Sequence, residues 1–208
     1  MMTHEHVLYG GKGTGSVAIE AALCLLDQPY RVVERRPGDD YPGGNPMGQV
    51  PVIQLPSGEL MTESAAILIY LADAYPDANL APGLEDPRRP AFLRWMVFIA
   101  SQVYSLVWVR DDPSRLAADK AHESLILERT GARRAFCWSV MEREIKPGDY
   151  LLGDSISVLD LYVTVTSTWG PGRERFREVA PKMSEIIRKV ESDRRLQALW
   201  SERLSQAR

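Results

Sequence analysis

The stretch from Asn45 to Pro76, NPMGQVPVIQLPSGELMTESAAILIYLADAYP, constrains the fold of this chain more than any other. Val52 to Leu55 is a short β-branched and apolar run, and Glu59 to Met61 is a second. Pro56-Ser57-Gly58 between them supplies a tight turn, proline presetting φ and glycine tolerating a positive φ. Ser64 then stands where a helix cap belongs, ahead of the apolar run AAILIYLA. Because that run is apolar almost all the way round, the helix is expected to be covered on two sides, by a sheet and by something else. A strand pair feeding such a helix is one half of a small α/β layer.

The other half precedes it. Val7-Leu8-Tyr9 reads as a first strand, GGKGTGS as a loop, about Ser16 to Asp27 as an amphipathic helix, and Tyr30 to Glu34 as a second strand. This βαβ opening carries a loose dinucleotide fingerprint, Gly13-x-Gly15-x-x-Ala18, with Glu34 about where a ribose-binding acid would stand. The tight hairpin downstream argues against it, since a doubly wound sheet needs further helix-linked strands. The G-x-x-x-x-G-K-[ST] spacing of a P-loop is absent. Arg35 to Gly44, RRPGDDYPGG, is rich in breakers and reads as an irregular connection.

From Pro76 to Pro90 prolines crowd together, marking a linker. The expected division is an α/β unit over residues 1–80, a linker over 81–87 and an all-helical unit over 88–208, because no strand pattern recurs later. Pro90 to Arg110 spaces Phe92, Trp95, Met96, Ile99, Val103, Leu106 and Val107 at helical intervals. Asp119 to Glu144 is a second long helix, with Leu125, Leu127, Ala132, Phe136 and Val140 as its apolar positions. In YLLGDSISVLDLYV, Ser157 and Asp160 form a capping box, so the strand-like VTVTST beyond it is expected to be helical and Asp160 structural. The tail from Arg173 alternates Arg with Glu and Asp, which reads as a solvated helix face.

With 208 residues, a formal charge of −3 and a pI near 5.7, the chain offers no basic footprint for nucleic acid or anionic membrane. No unbroken apolar stretch reaches the roughly 20 residues of a membrane span. The N-terminus lacks a signal-peptide core, so a cytoplasmic location is expected. Cys24 and Cys137 are far apart and read as buried, inert thiols; His4, His6 and His122 make no metal spacing, and no metal is expected. His4 and His6 are placed at an exposed start.

Two polar features of the central stretch are hard to explain as structure alone. Glu63-Ser64 sits at a helix N-terminus, where unpaired N–H groups favour an anion. A cis bond at Val50-Pro51 would turn the Val50 N–H and C=O outward, ready to pair with an extended peptide along an edge strand. The ordered set of GQVP, hairpin, Glu-Ser and buried helix resembles the glutathione transferase family. That resemblance implies a thioredoxin-like N-terminal domain followed by an all-α C-terminal domain. It also implies that Gln49, Val50 and Pro51 hold the cysteinyl backbone of glutathione, while Glu63 and Ser64 hold its γ-glutamyl end.

In that family the loop after the first strand faces the glutathione sulfur with a Tyr, Ser or Cys. LYGGKGTGS is similar to the L-[FY]-x-x-P-G-x-C-S pattern of the bacterial cysteine-type enzymes but puts Gly15 at the cysteine and Gly10 near the tyrosine of other classes. Thr14, Ser16 and the loop N–H groups remain as candidate thiol partners, with plain N-capping the alternative role for Ser16. RWMVFIASQVY resembles the first helix of the same enzymes' helical domain. This implies a homodimer in which Ser101 and Gln102 reach the partner's glutathione, and it puts Tyr104 at the position of their histidine. Tyr104 is thus a candidate hydroxyl near the sulfur, or else a wall of the acceptor pocket with Trp108. The implied activity is attack of glutathione thiolate on a small hydrophobic electrophile. A non-catalytic glutathione-binding stress or assembly module is the alternative.

Overall fold

The computed structural model describes residues 5–35, 45–170 and 172–204; Arg36 to Gly44 and His4 fall outside them. Among the described residues four strands form one sheet: β1 (His6–Gly10), β2 (Tyr30–Glu34), β3 (Val52–Gln54) and β4 (Leu60–Thr62). The spatial order is β2-β1-β3-β4. The β1–β2 pair is parallel, joined by α1 (Ser16–Leu25), because parallel strands need a crossover. The β1–β3 and β3–β4 pairs are antiparallel, with Tyr9 opposite Val52 and Val52 opposite Thr62. The turn before β4 uses Gly58 at φ +91, which suits the absence of a Cβ. The hairpin therefore lays β4 outside β3. The expectation of an edge strand at Val50 is corrected: β3 is interior, and only its lead-in projects past the end of β1.

Helix α2 (Ser64–Ala74) packs against α1 and reaches α6 (Val158–Thr166). It buries Ala65, Ile67, Leu68, Leu71 and Ala72 but leaves Tyr70 exposed, so its covering is less complete than its composition predicts. His6, expected at an exposed start, is buried in β1, and burial lowers its imidazole pKa. The sheet with α1 and α2 is a thioredoxin-like layer, and the later elements among the described residues are helices.

The segment predicted as one helix over Pro90–Arg110 runs as α3 (Arg89–Phe98), a π-helical turn (Ile99–Tyr104) and α4 (Ser105–Asp111). Phe92, Trp95, Met96, Ile99 and Val103 are buried, but Leu106 and Val107 are not. The wider turn shifts the phase of the residues beyond it, which is why a straight helical periodicity misplaces that last pair. Arg89–Asp111 has an 18-residue window of mean hydropathy 1.4, enough by length and composition to cross a membrane. Its apolar inner face lies in the core of the helical domain.

Helix α5 (Lys120–Glu144) begins at Asp119, whose carboxylate accepts the His122 N–H at 3.0 Å. Its buried face is Ala135, Cys137, Trp138 and Met141, whereas the predicted positions Leu125, Leu127 and Phe136 point outward. Three helices close the domain: α7 (Gly172–Val179), α8 (Pro181–Glu191) and α9 (Gln197–Arg203). Cys24 is half-buried and Cys137 buried, and burial raises both thiols.

The start of α6 is fixed by Asp160, which is fully buried. Its carboxylate accepts the Ser157 N–H at 2.8 Å, the Ser157 hydroxyl at 2.6 Å and the Leu151 N–H at 2.9 Å. Burial outweighs the pull of these donors and leaves its pKa raised, to about 6. So strong a cap overrides the β-propensity of VTVTST. Replacing Asp160 with alanine strands two buried N–H groups, at a cost on the order of 3 kcal/mol. Asp160→Ala is therefore expected to lower the melting temperature by about 6–12 °C. Calorimetry checks this, and a loss under about 2 °C would show that the cap does not hold the helix start.

Candidate functional site

The site lies where several chain ends meet. β1 ends at Gly10, β4 ends at Thr62, and α1 and α2 both begin at this end of the sheet. The Val50–Pro51 peptide is cis, and it leads into β3 from the same end. Continuing the Val52–Thr62 register by two residues brings Pro51 and Val50 alongside Glu63 and Ser64. The first turns of α1 and α2, with the orphan N–H groups that every helix start carries, thus share one corner.

Glu63 occupies φ +68, ψ +104, a conformation that costs a side chain roughly 1–3 kcal/mol, and its side chain is exposed. Ser64 is buried, is the first residue of α2 and has no capping bond, contrary to its predicted role as cap. Its hydroxyl donates instead to the Tyr162 hydroxyl on α6, at 3.1 Å. Gln49 is exposed, and its carbonyl accepts from the Asn45 side-chain amide at 2.9 Å.

The loop between β1 and α1 is internally bonded. The Ser16 hydroxyl accepts the Gly11 N–H at 3.1 Å and lies 2.9 Å from the Thr14 hydroxyl, which donates to the Gly11 carbonyl at 2.8 Å. Ser16 is fully buried and its side chain does not cap α1. A side chain on Gly10 would collide with the Ser16 hydroxyl, so glycine is required there. The hydroxyl of Ser16 holds the loop together from within, and that of Thr14 is half-buried.

A hydroxyl from the other domain reaches the loop from outside. A Cβ on Gly15 would lie 2.7 Å from the Tyr104 hydroxyl oxygen and 2.9 Å from its ring edge. The phenol stands where a residue-15 side chain would begin. Its ring packs edge-on to Trp169 at 4.8 Å and 6.4 Å from Tyr162. The Trp169 indole N–H donates to the Gly13 carbonyl at 2.7 Å. Burial pushes the Tyr104 pKa up to about 12, with the charges of Asp111 and Glu63 adding to the rise and the Gly15 N–H opposing it. Tyr104 is therefore a neutral phenol at physiological pH, able to donate a hydrogen bond.

Trp108 lies one turn beyond Tyr104 on α4, so both share a face; it is 44% exposed, with the Arg115 guanidinium 4.7 Å from its ring. Ser101 and Gln102 are not brought to this loop. They line a shallow groove with Pro90, Leu93, Val97 and Phe98, and Gln102 accepts from Arg133 at 2.8 Å. No group of three or more His, Cys, Asp or Glu able to hold a metal occurs among the described residues. The sequence reading missed Trp169 and Tyr162, whose contacts with the loop and with Ser64 span more than 90 positions and leave no local pattern.

A thioredoxin-like sheet with a cis-proline, docked on an all-helical domain through an aromatic seam, defines the class. The chain belongs to the glutathione S-transferase family. The family model for the glutathione S-transferase N-terminal domain matches residues 16–74. The GST-like protein YncG of Escherichia coli K12 is 35% identical over 188 residues, 86% of this chain and 89% of that protein. The crystal structure of a glutathione transferase homologue from Sulfitobacter, with bound glutathione, is 27% identical with a TM-score of 0.84, covering 96% of this chain and 99% of the other. A bacterial beta-class transferase from Sphingomonas chungbukensis shares the fold, with a TM-score of 0.77 at 23% identity over 94% of this chain and 97% of that one.

The Gly15–Tyr104 contact can be tested without any ligand. Gly15→Ala is expected to destabilise the protein by about 1–3 kcal/mol, because Tyr104 is held by Trp169 and cannot retreat freely. In a Tyr104→Leu background the same change should cost at least about 1 kcal/mol less, a coupling that a double-mutant cycle in denaturant reads directly. Additive effects would mean that the phenol does not fill the place of the missing side chain.

Proposed function

We propose that this protein binds glutathione along Val50–Pro51 and at the start of α2, and uses the Tyr104 hydroxyl to stabilise its thiolate for attack on a small hydrophobic electrophile. The observation that carries the reading is the phenol standing at the missing side chain of Gly15. Where the bacterial cysteine-type enzymes it resembles have a thiol, this chain offers a neutral hydroxyl donor from the helical domain. Glutathione enters as a substrate. Glu63 and the α2 N–H groups take its γ-glutamyl end, and Val50, with Gln49 and Pro51, takes its cysteinyl backbone.

Chemically, the tripeptide thiol loses its proton to solvent and the thiolate forms a carbon–sulfur bond, either displacing a leaving group such as halide or adding to an activated alkene, whose π pair moves onto the adjacent carbon and takes a proton from solvent. A hydrogen bond to an ionised partner contributes about 1.5–3 kcal/mol, which corresponds to about one to two units of thiol pKa. Thr14 supports the loop, and its one hydroxyl proton would have to leave the Gly11 carbonyl to serve the sulfur. Ser16 is assigned to the loop alone. Tyr104 and Trp108 wall the acceptor pocket, which suits a flat apolar electrophile. We assign the protein to the cytoplasm as a homodimer of two-unit chains divided near residues 81–87, with Ser101 and Gln102 serving the neighbour's glutathione. The exposed Leu93, Val97 and Phe136 support that assembly.

Conjugation of a chloronitrobenzene, measured from pH 5.5 to 9, tests the assignment. Tyr104→Phe removes the donor, so the thiol pKa of bound glutathione should rise by about one to two units. Turnover should fall about 10- to 100-fold at pH values below the wild-type thiol pKa and recover as pH climbs past the new one. A profile unchanged by Tyr104→Phe would remove the phenol from the chemistry. Calorimetric binding of glutathione without turnover in the wild type would instead favour a non-catalytic binding module.

Glu63→Gly separates the strained acid's two roles. Stability should hold or rise slightly, since glycine tolerates positive φ, while the glutathione Kd weakens at least tenfold (about 1.4 kcal/mol). Unchanged affinity would exclude Glu63 from the γ-glutamyl site.

A further inference from the structure

The alternating charges of the C-terminal tail do not all lie in water. Arg203, at the end of α9, is 5% exposed and makes contacts far from its own neighbourhood in sequence. Its guanidinium donates through Nε at 3.1 Å and a terminal nitrogen at 2.7 Å to Glu20 on α1, which is itself 3% exposed. Its other terminal nitrogen donates to Glu34 at the end of β2. Its backbone carbonyl accepts the Gly13 N–H at 2.9 Å. One residue thereby ties together α1, β2 and the loop between β1 and α1.

Gly13 is the centre of this grip. It stands at φ +69, and its other peptide group, the carbonyl, is taken by the Trp169 indole. Both of its backbone hydrogen-bonding groups are thus held by the helical domain. The neighbouring Gly11 is packed beneath Glu34, whose carboxylate would lie 3.6 Å from a Cβ built there. A Lys12–Glu202 pair at 4.0 Å adds a solvent-exposed contact worth little by itself. Buried ion pairs are weak sources of net stability, because desolvation offsets their attraction, but they confine geometry closely. Arginine's planar fork can meet two acids and hold both in register, which a lysine ammonium on a flexible stem does not do.

We infer that Arg203 is a positioning residue for the thiol-binding loop: helix α9 sets where the Gly11–Ser16 backbone stands relative to the Tyr104 hydroxyl. The inference rests on the proposed glutathione chemistry and extends it to a residue that touches neither substrate. A shift of about 1 Å in that loop is enough to lengthen a thiolate hydrogen bond past usefulness. The two glutamates have a role that the dinucleotide-like pattern misassigns to Glu34: it faces an arginine of the same chain.

Two variants and two probes test this. Arg203→Lys keeps the charge and loses the fork, and Glu34→Gln takes the charge, and with it most of the hold, from one arm while leaving the Glu20 pairing in place. Binding of S-methylglutathione, which has no thiol, is measured first by calorimetry; the ultraviolet thiolate absorbance of bound glutathione is then followed against pH. Both variants are expected to bind S-methylglutathione within about twofold of wild type, while the bound thiol pKa rises, by about one unit for Arg203→Lys and less for Glu34→Gln. The sign is diagnostic for Glu34→Gln: removing a nearby negative charge through space alone would lower that pKa, so a rise reports the loop. Folded variants that bind the analogue with a wild-type thiol pKa, or a fall in Glu34→Gln, would overturn the inference. Should Arg203→Lys not fold, Glu34→Gln decides alone. A wild type that fails to bind S-methylglutathione would instead sink the proposed function, and this inference with it.

Discussion

The absence of a side chain at Gly15 is the constraint on which the site depends. Any Cβ there would meet the Tyr104 phenol at less than contact distance, so the close approach of the two domains at this point is possible only for glycine. The helical domain can then send an aromatic hydroxyl into the first turn of α1. The π-helical turn over Ile99–Tyr104 belongs to the same arrangement: it changes the direction of the residues at its end, and Tyr104 is its last residue.

Around that contact the seam is polar at its tips and apolar in its body. Tyr104 packs on both Tyr162 and Trp169, each tilted or edge-on pair contributing about 0.5–1.5 kcal/mol beyond its buried area. Their polar ends meet Gly15, Ser64 and Gly13, three positions at the starts of α1 and α2 or in the loop ahead of them. The helical domain thus reaches the corner where α1 and α2 begin. In the proposed function the anion is held by N–H groups at the start of α2, while the thiol is tuned by a hydroxyl sent from the other half of the chain.

Arg203 closes the arrangement from the opposite side. Glu20 is pushed towards its neutral form by burial and pulled back by Arg203, so its charge depends on a residue 183 positions away. Such a coupling ties the end of the chain to the loop near its beginning. The loop's own hydroxyls, Ser16 and Thr14, then serve to close it internally.

The sequence by itself determined the four strands, α1, α2, α5 and the start of α6. The Pro56-Ser57-Gly58 turn, the Ser157–Asp160 box and the β-branched runs each act over a few residues, and the hairpin and α6 form where those local signals place them. It also determined the corner at Val50–Pro51 and Glu63–Ser64, because a motif of ordered local parts carries its own geometry. Only the tertiary structure decided that β3 is interior, that Leu125, Leu127 and Phe136 face outward, that Ser64 bonds Tyr162, and that Arg203 is buried against two acids. These outcomes turn on which surface arrives from a distant part of the chain. A periodicity reports that a face is apolar, and an alternation of charges reports that a helix is amphipathic, but neither says what will pack against it. Tyr104 lies between the two cases: its candidacy was legible in the helix it sits on, while its place at the empty position of Gly15 required both domains to be folded together.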